Sequence, residues 1–198
     1  TFINTGSSSE YGFKNKSMKE TDLLEPNSYY SVFKGSTSLF CKYESLKSNL
    51  QIVTIRPFHV YGPLEKETRL IPTLIKNMIF KKNIKLVSPK ISRDLIYIDD
   101  VVDFYFMISK KKNLKGEIFN LGSGKKTTIK EIYKILKSIT GYQKINKWGS
   151  MKNRYWDQTI WYGNMHYVKN KLKWKPKVSL KKGLKKTVNW YKIFYIDK

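Results

Sequence analysis

The fold is decided by the segment "TFINTGSSS", residues 1–9. Residues 2–5 read as a short strand, and Gly6 to Ser9 follow as a loop of small side chains. In a parallel α/β sheet such strand ends are where ligands gather. Outward from it, "NSYYSVFKGS", residues 27–36, opens a helical pattern running to about Lys47, with Asn27 or Ser28 as its cap. "QIVTI", 51–55, is a β-branched apolar run suited to a buried strand.

Beyond "RPFHVYGP" the alternation continues. A helix is predicted over 70–82, a short strand over 84–87 and another over "LIYI", 95–98. Asp99 or Asp100 caps a helix to about Lys111, and "EIFNLGS" is a strand ending in a glycine turn. Thr127 or Thr128 caps a helix to about Thr140. Residues 141–163 are irregular, and helices near 165–173 and 179–194 close the chain, the last capped by Ser179. Strands alternating with helices imply an α/β fold with a mostly parallel sheet.

The chain has 198 residues and a formal net charge of +24, yet only four of its basic residues are arginines: Arg56, Arg69, Arg93 and Arg154. Base reading and bidentate phosphate capture favour arginine, and the lysines are scattered over every segment. A solvated lysine surface is therefore expected, with no nucleic-acid site. No apolar run reaches the ~18 residues of a membrane span, and no signal peptide is visible. The single cysteine, Cys41, permits no internal disulfide; a buried thiol in a reducing cytoplasm is expected. With two histidines and one cysteine no metal cluster can be assembled.

Tyr30 and Lys34 are four apart, on one helix face. A free tyrosine titrates near ~10, and an adjacent ammonium favours the phenolate, so such a tyrosine can accept a proton from a substrate hydroxyl. Spacing alone is uninformative: about two or three such pairs arise by chance at this composition, and the sequence has four, the others being Tyr43/Lys47, Tyr133/Lys137 and Tyr167/Lys171. Only the first follows a serine-rich strand end.

"TGSSSEYG", "YSVFK", "RPFHVYGP", "RDLIYIDDV", "FNLGSG" and "LKWKPKVSLKKGL" occur in order over nearly the whole chain. Together they resemble the NAD-dependent epimerase/dehydratase family, extended short-chain dehydrogenases acting on nucleotide sugars. The resemblance implies the later part of a Rossmann-type parallel sheet with a smaller C-terminal substrate domain. The division would be 1–62 and 63–198, with about 90–112 packing back on the first part. It implies Tyr30 as catalytic base and acid, Lys34 tuning it and holding the cofactor ribose, and Ser7 on the reacting sugar oxygen. It places Pro57 and His59 along the nicotinamide of NAD or NADP, and Ser8, His59, Arg93 and Arg154 on the nucleotide sugar. A homodimer through a helix bundle that includes the Tyr30 helix is also implied.

Two departures shape these expectations. The dehydratase branch carries an Asp-Glu pair where Ser8 and Ser9 stand, with Glu10 one residue late, which favours 4-epimerase or 4-ketoreductase chemistry over dehydration. The family's glycine-rich dinucleotide turn is missing, so poor NAD binding, or an inactive truncated remnant, is the competing expectation. Bland readings accompany the sharp ones. Arg93 and Asp94 would form a structural ion pair, His166 would lie on the surface, and Trp174 would be core.

Overall fold

The computed structural model describes residues 1–196. Three parallel strands form the first sheet, in the order β1 (Phe2–Thr5), β2 (Ile52–Pro57), β6 (Ile118–Leu121). Two further pairs flank it: parallel β3 (His59–Tyr61) with β5 (Leu95–Tyr97), and antiparallel β4 (Ser92–Arg93) with β7 (Thr127–Thr128). The helices are α1 (Tyr29–Lys47), α2 (Leu70–Ile79), α3 (Ile98–Lys110), α4 (Ile129–Thr140), α5 (His166–Leu172) and α6 (Leu180–Ile196). The fold is the α/β class with a parallel sheet.

Two cores result. One gathers Val53, Ile55, Phe104, Ile108, Phe119 and Val168 around the first sheet, and Trp174 packs against it with its ring 4.7 Å from Phe104. The other gathers Tyr61, Ile75, Ile132, Leu136 and Val188 between α2, α4 and α6. Strand β6 and helix α5 also contribute to the first core.

Helix α1 is patterned in reverse. Its sheet-facing residues are small (Ser31, Gly35, Ser38, Cys41 and Ser45), while Tyr29, Phe33, Leu39 and Phe40 point outward and are exposed. Small side chains let the helix backbone lie close to β2. Ser45 Oγ completes the junction, accepting from Ile52 N at 3.1 Å and donating to the Leu50 carbonyl. Close packing is what brings the first turn of α1 up to the end of β1.

Three buried carboxylates tie together segments far apart in the chain. Asp94 accepts from Ser123 N and Oγ at 2.6 Å each and from Gly124 N and Gly163 N at 3.0 Å each. Burial pushes its carboxyl up and these four donors pull it back. A Cβ on Gly122 would lie 2.6 Å from Asp94 Oδ2, so glycine is required there. Asp100 accepts from Lys177 N (2.9 Å) and Val178 N (3.0 Å), fastening the segment before α6. Glu10 is the third and belongs to the site below.

Several expectations are corrected. Asp94 does not pair with Arg93; it closes the glycine turn after β6, and Arg93 pairs with Asp157. Asp99 and Asp100 do not cap α3, whose cap is Tyr97 without a side-chain bond; they sit in its first turn, Asp99 meeting Lys186 of α6 and Asp100 the segment before it. Residues 84–87 form no strand. Ile84 and Leu86 are buried, but the N–H groups of Ile84, Leu86 and Ser88 donate to Asn146 Oδ1, Ser150 Oγ and Asn153 Oδ1, at 2.7, 3.0 and 3.1 Å. Side chains of the 146–153 loop replace a partner strand. Helix α2 ends at Ile79, short of 82.

Candidate active site

Above the carboxyl ends of β1 and β2 lies a cavity of about 730 Å³. Its lining includes Thr5 to Ser9, Tyr30 and Lys34, Pro57 to His59, Arg93, Met151 and Arg154 to Asp157. All of the residues expected to hold substrate or cofactor line it: Ser7, Ser8, Tyr30, Lys34, Pro57, His59, Arg93 and Arg154.

The strand end is preorganised. Residues Ser8–Tyr11 make a single 3₁₀ turn capped by Ser7, whose Oγ accepts from Ser9 N at 3.1 Å. The bond uses a lone pair and leaves the hydroxyl proton free to donate. Glu10 turns back beneath the loop: Oε1 accepts from Ser7 N (2.8 Å) and Oε2 from Arg56 Nε (2.8 Å). Arg56 also donates to Tyr11 Oη (3.0 Å), which donates to Asn120 Oδ1 (2.7 Å). Desolvation pushes the Tyr11 hydroxyl well above its usual range, so it remains a neutral donor. Arg56 belongs to the support beneath the cavity, not to its lining.

Tyr30 and Lys34 share the α1 face turned to this strand end. The Lys34 ammonium donates to the Thr5 carbonyl at 2.8 Å and stands 5.9 Å from the Tyr30 ring centre. Tyr30 is 57 % exposed and lines the cavity. The amine–ring distance does not single this pair out, since Lys47 over Tyr43 and Lys171 over Tyr167 are at 5.2 and 5.7 Å. Location does, because of the four pairs only Tyr30/Lys34 lines the cavity.

In the same cavity, Arg93 is held by Asp157 Oδ1 at 2.7 Å, while Asp157 Oδ2 accepts from Arg154 N at 2.8 Å. One carboxylate thus aims the Arg93 guanidinium and shapes the loop carrying Arg154, whose own guanidinium lies 5.8 Å from the Trp156 ring. Ser8 Oγ accepts from Trp161 Nε1 at 3.3 Å. His59 Nε2 is 3.2 Å from Glu65 Oε1. Arg69 and Lys85 complete the basic rim. Three of the four arginines therefore converge on one cavity, and the fourth holds Glu10. Asp157, Glu65, Arg69, Lys85 and Trp161 escaped the sequence reading. The scarcity of arginine pointed to Arg69; nothing local pointed to Asp157, whose partner is 64 residues away.

Among the described residues no cluster of His, Cys, Asp and Glu could hold a metal ion, and no helix is long and apolar enough to cross a membrane. His166 is exposed and Cys41 buried, with the thiol pushed up by desolvation.

A model of the NAD dependent epimerase/dehydratase family matches residues 1–122. The UDP-glucuronate 4-epimerase of Thermodesulfobacterium geofontis is 33% identical over 166 residues, 83% of this chain and 50% of that protein. Human dTDP-D-glucose 4,6-dehydratase is 25% identical over 197 residues, 96% of this chain and 56% of that one. In structure, UDP-glucuronic acid 4-epimerase from Bacillus cereus, solved with UDP-glucuronic acid and NAD, superposes with a TM-score of 0.89 at 29% identity, over 98% of this chain and 62% of that one. The chain spans about half the length of the curated relatives it matches.

Proposed function

The chain belongs to the NAD dependent epimerase/dehydratase family, and from that premise we propose that its cavity takes a nucleotide sugar for inversion at C4. The observation that carries this reading is the convergence of Ser7, Tyr30, Lys34, Arg93 and Arg154 on one cavity. The hydroxyl and phenol would meet the sugar, and the guanidiniums its diphosphate, which a guanidinium grips through paired N–H donors.

Tyr30 Oη would take the proton of the sugar 4-hydroxyl and later return it. Ser7 Oγ–H would donate to the same sugar oxygen, fixing its distance from Tyr30. Lys34, anchored on the Thr5 carbonyl, holds a positive charge on the Tyr30 side of the cavity. Glu10 has one oxygen on Ser7 N and the other on Arg56, so no carboxylate stands free at the strand end to remove a proton from carbon. That favours epimerisation or ketoreduction over elimination of water.

Bound NAD or NADP supplies the acceptor and donor of hydride. Tyr30, Lys34, Pro57 and His59 fit the nicotinamide-ribose end of such a group: they line open space with one amine, one phenol and one imidazole. The pyrophosphate end finds no glycine-rich turn in this sequence. That favours a second reading, in which this chain holds the nucleotide sugar and turns nothing over by itself. The outward apolar face of α1, with Tyr29, Phe33 and Phe40 exposed, supports a homodimer through that helix.

The test is incubation of the chain with NAD or NADPH and a panel of nucleotide sugars. Proton NMR reads the C4 configuration, and absorbance reads nicotinamide turnover. A 4-epimer without net nicotinamide change supports the epimerase. Stoichiometric NADPH consumption assigns the ketoreductase. Sugar-nucleotide binding without product assigns the second reading, and no binding overturns all three.

A further inference from the structure

We propose that Glu65 is a positioning residue that fixes the His59 imidazole with its proton on Nε2, leaving Nδ1 as a bare acceptor for a ligand hydroxyl in the cavity. The ligand part of this inference rests on the nucleotide-sugar reading; the tautomer part does not.

His59 Nε2 and Glu65 Oε1 are 3.2 Å apart, with side chains 11% and 10% exposed. An ionised carboxylate only accepts, so Nε2 must donate. A neutral imidazole that donates from one nitrogen accepts at the other. His59 Nδ1 has no hydrogen bond among the described residues. Nor is it among the enclosed polar side-chain atoms without partners, which there are Ser38 Oγ, Glu65 Oε2 and Tyr195 Oη. It therefore keeps open space in front of it, and the open space His59 lines is the cavity shared with Tyr30 and Ser7.

The carboxylate is placed by its backbone. Gly62 has φ 154° and Leu64 φ 62°, a left-handed step unusual for a branched residue. That turn brings Glu65 back over β3, with Glu65 N donating to the Gly62 carbonyl at 3.4 Å and Tyr191 Oη donating to the Glu65 carbonyl at 2.9 Å. The backbone beneath the ring is fixed as well, since His59 N donates to the Asp94 carbonyl at 2.9 Å where β3 meets β5. Glu65 Oε2 is buried without a partner, and Arg69 Nε, on a largely exposed side chain, is 3.8 Å from Oε1. The one side-chain group within hydrogen-bond distance of this carboxylate among the described residues is the imidazole.

A bare Nδ1 selects for a hydroxyl and against a group that only accepts, such as a carboxylate or ketone, because facing lone pairs repel. The hydroxyl could come from the hexose or from a ribose, so the test separates UDP-glucose, UDP and NAD.

The experiment is nitrogen-15 NMR of the histidine rings in the whole chain at about pH 8, above the ordinary imidazole range. Two histidines, His59 and His166, keep the spectrum simple, and His59→Asn assigns it. A protonated Nε2 and bare Nδ1 on His59, averaging toward a tautomer mixture in Glu65→Ala while His166 stays put, is the expected result. Glu65→Ala also weakens binding of the hydroxyl-bearing ligand by about tenfold. An Nδ1–H tautomer, or a His59 signal indifferent to Glu65→Ala in a variant that keeps its dispersed amide spectrum, overturns the proposal. So does an Nδ1 signal unmoved by every ligand that shifts Tyr30. If no ligand shifts Tyr30, the nucleotide-sugar reading fails, and the tautomer alone decides this one.

Discussion

Arg56 Nε lies 2.8 Å from Glu10 Oε2, with the two side chains 2% and 0% exposed. This pair connects β2 to the 3₁₀ turn, and through the second Glu10 oxygen to the backbone of Ser7. The strand-end loop of the site is thus fastened from below by a buried charge pair.

Removing one partner leaves the other charge buried and unpaired, which costs about 3–5 kcal/mol. Glu10→Ala is expected to lose that much in urea denaturation. Arg56→Met combined with Glu10→Leu should recover a large part, because the desolvation cost of both charges disappears. Equal losses in the single and double variants would show that the loop needs the charges themselves.

Gly183 sits where α6 crosses the β3–β5 pair. A Cβ there would overlap the Tyr61 hydroxyl and stand 3.1 Å from Tyr97 Cδ2. Although alanine favours helix over glycine, Gly183→Ala is expected to destabilise by about 1–3 kcal/mol through overpacking. Thermal unfolding measures it, and a stabilised variant would mean that α6 is free to shift.

Helix α4 begins with a capping box: Thr128 N donates to Glu131 Oε2 at 2.6 Å and Glu131 N to Thr128 Oγ1 at 3.2 Å. The Thr128 side chain, then its backbone N–H, holds the Glu131 carboxyl below its usual range. A depressed carboxyl stabilises above the unfolded value of about 4.3 and loses that contribution as pH falls through the folded value. Glu131→Gln should therefore cost a solvent-screened few tenths of a kcal/mol, about 0.5 at most, at neutral pH, and progressively less as pH falls below the unfolded value. Denaturant titrations at neutral pH and below the unfolded value check it.

The exposed aromatics of α1 lead to an oligomerisation test. Phe33→Lys together with Phe40→Lys is expected to convert a dimer to a monomer in sedimentation velocity. A native chain that is already monomeric at micromolar concentration contradicts the dimer.

Legibility in the sequence followed distance along the chain. The helix bearing Tyr30 and Lys34, the strands at 52 and 95, and the Thr128 cap were readable because their signals are local. The short strand expected over 84–87 did not form, because its backbone partners are side chains more than sixty residues away. Asp94 and Asp100 looked like an ion-pair partner and a cap, the two roles a carboxylate has with near neighbours. Each instead accepts backbone N–H groups from a remote segment. The reversed face of α1 was hidden for a related reason. Large apolar residues read as core unless a close helix–strand approach demands small ones.

The most direct measurement is the rate of C4 inversion, with NAD, of whichever nucleotide sugar from the panel the chain binds, compared between the native chain and Tyr30→Phe. The account predicts the C4 epimer from the native chain, with loss of about 10²-fold or more in the variant at unchanged sugar-nucleotide affinity. Equal rates from the two proteins, or none from a native chain with both ligands bound, would contradict it.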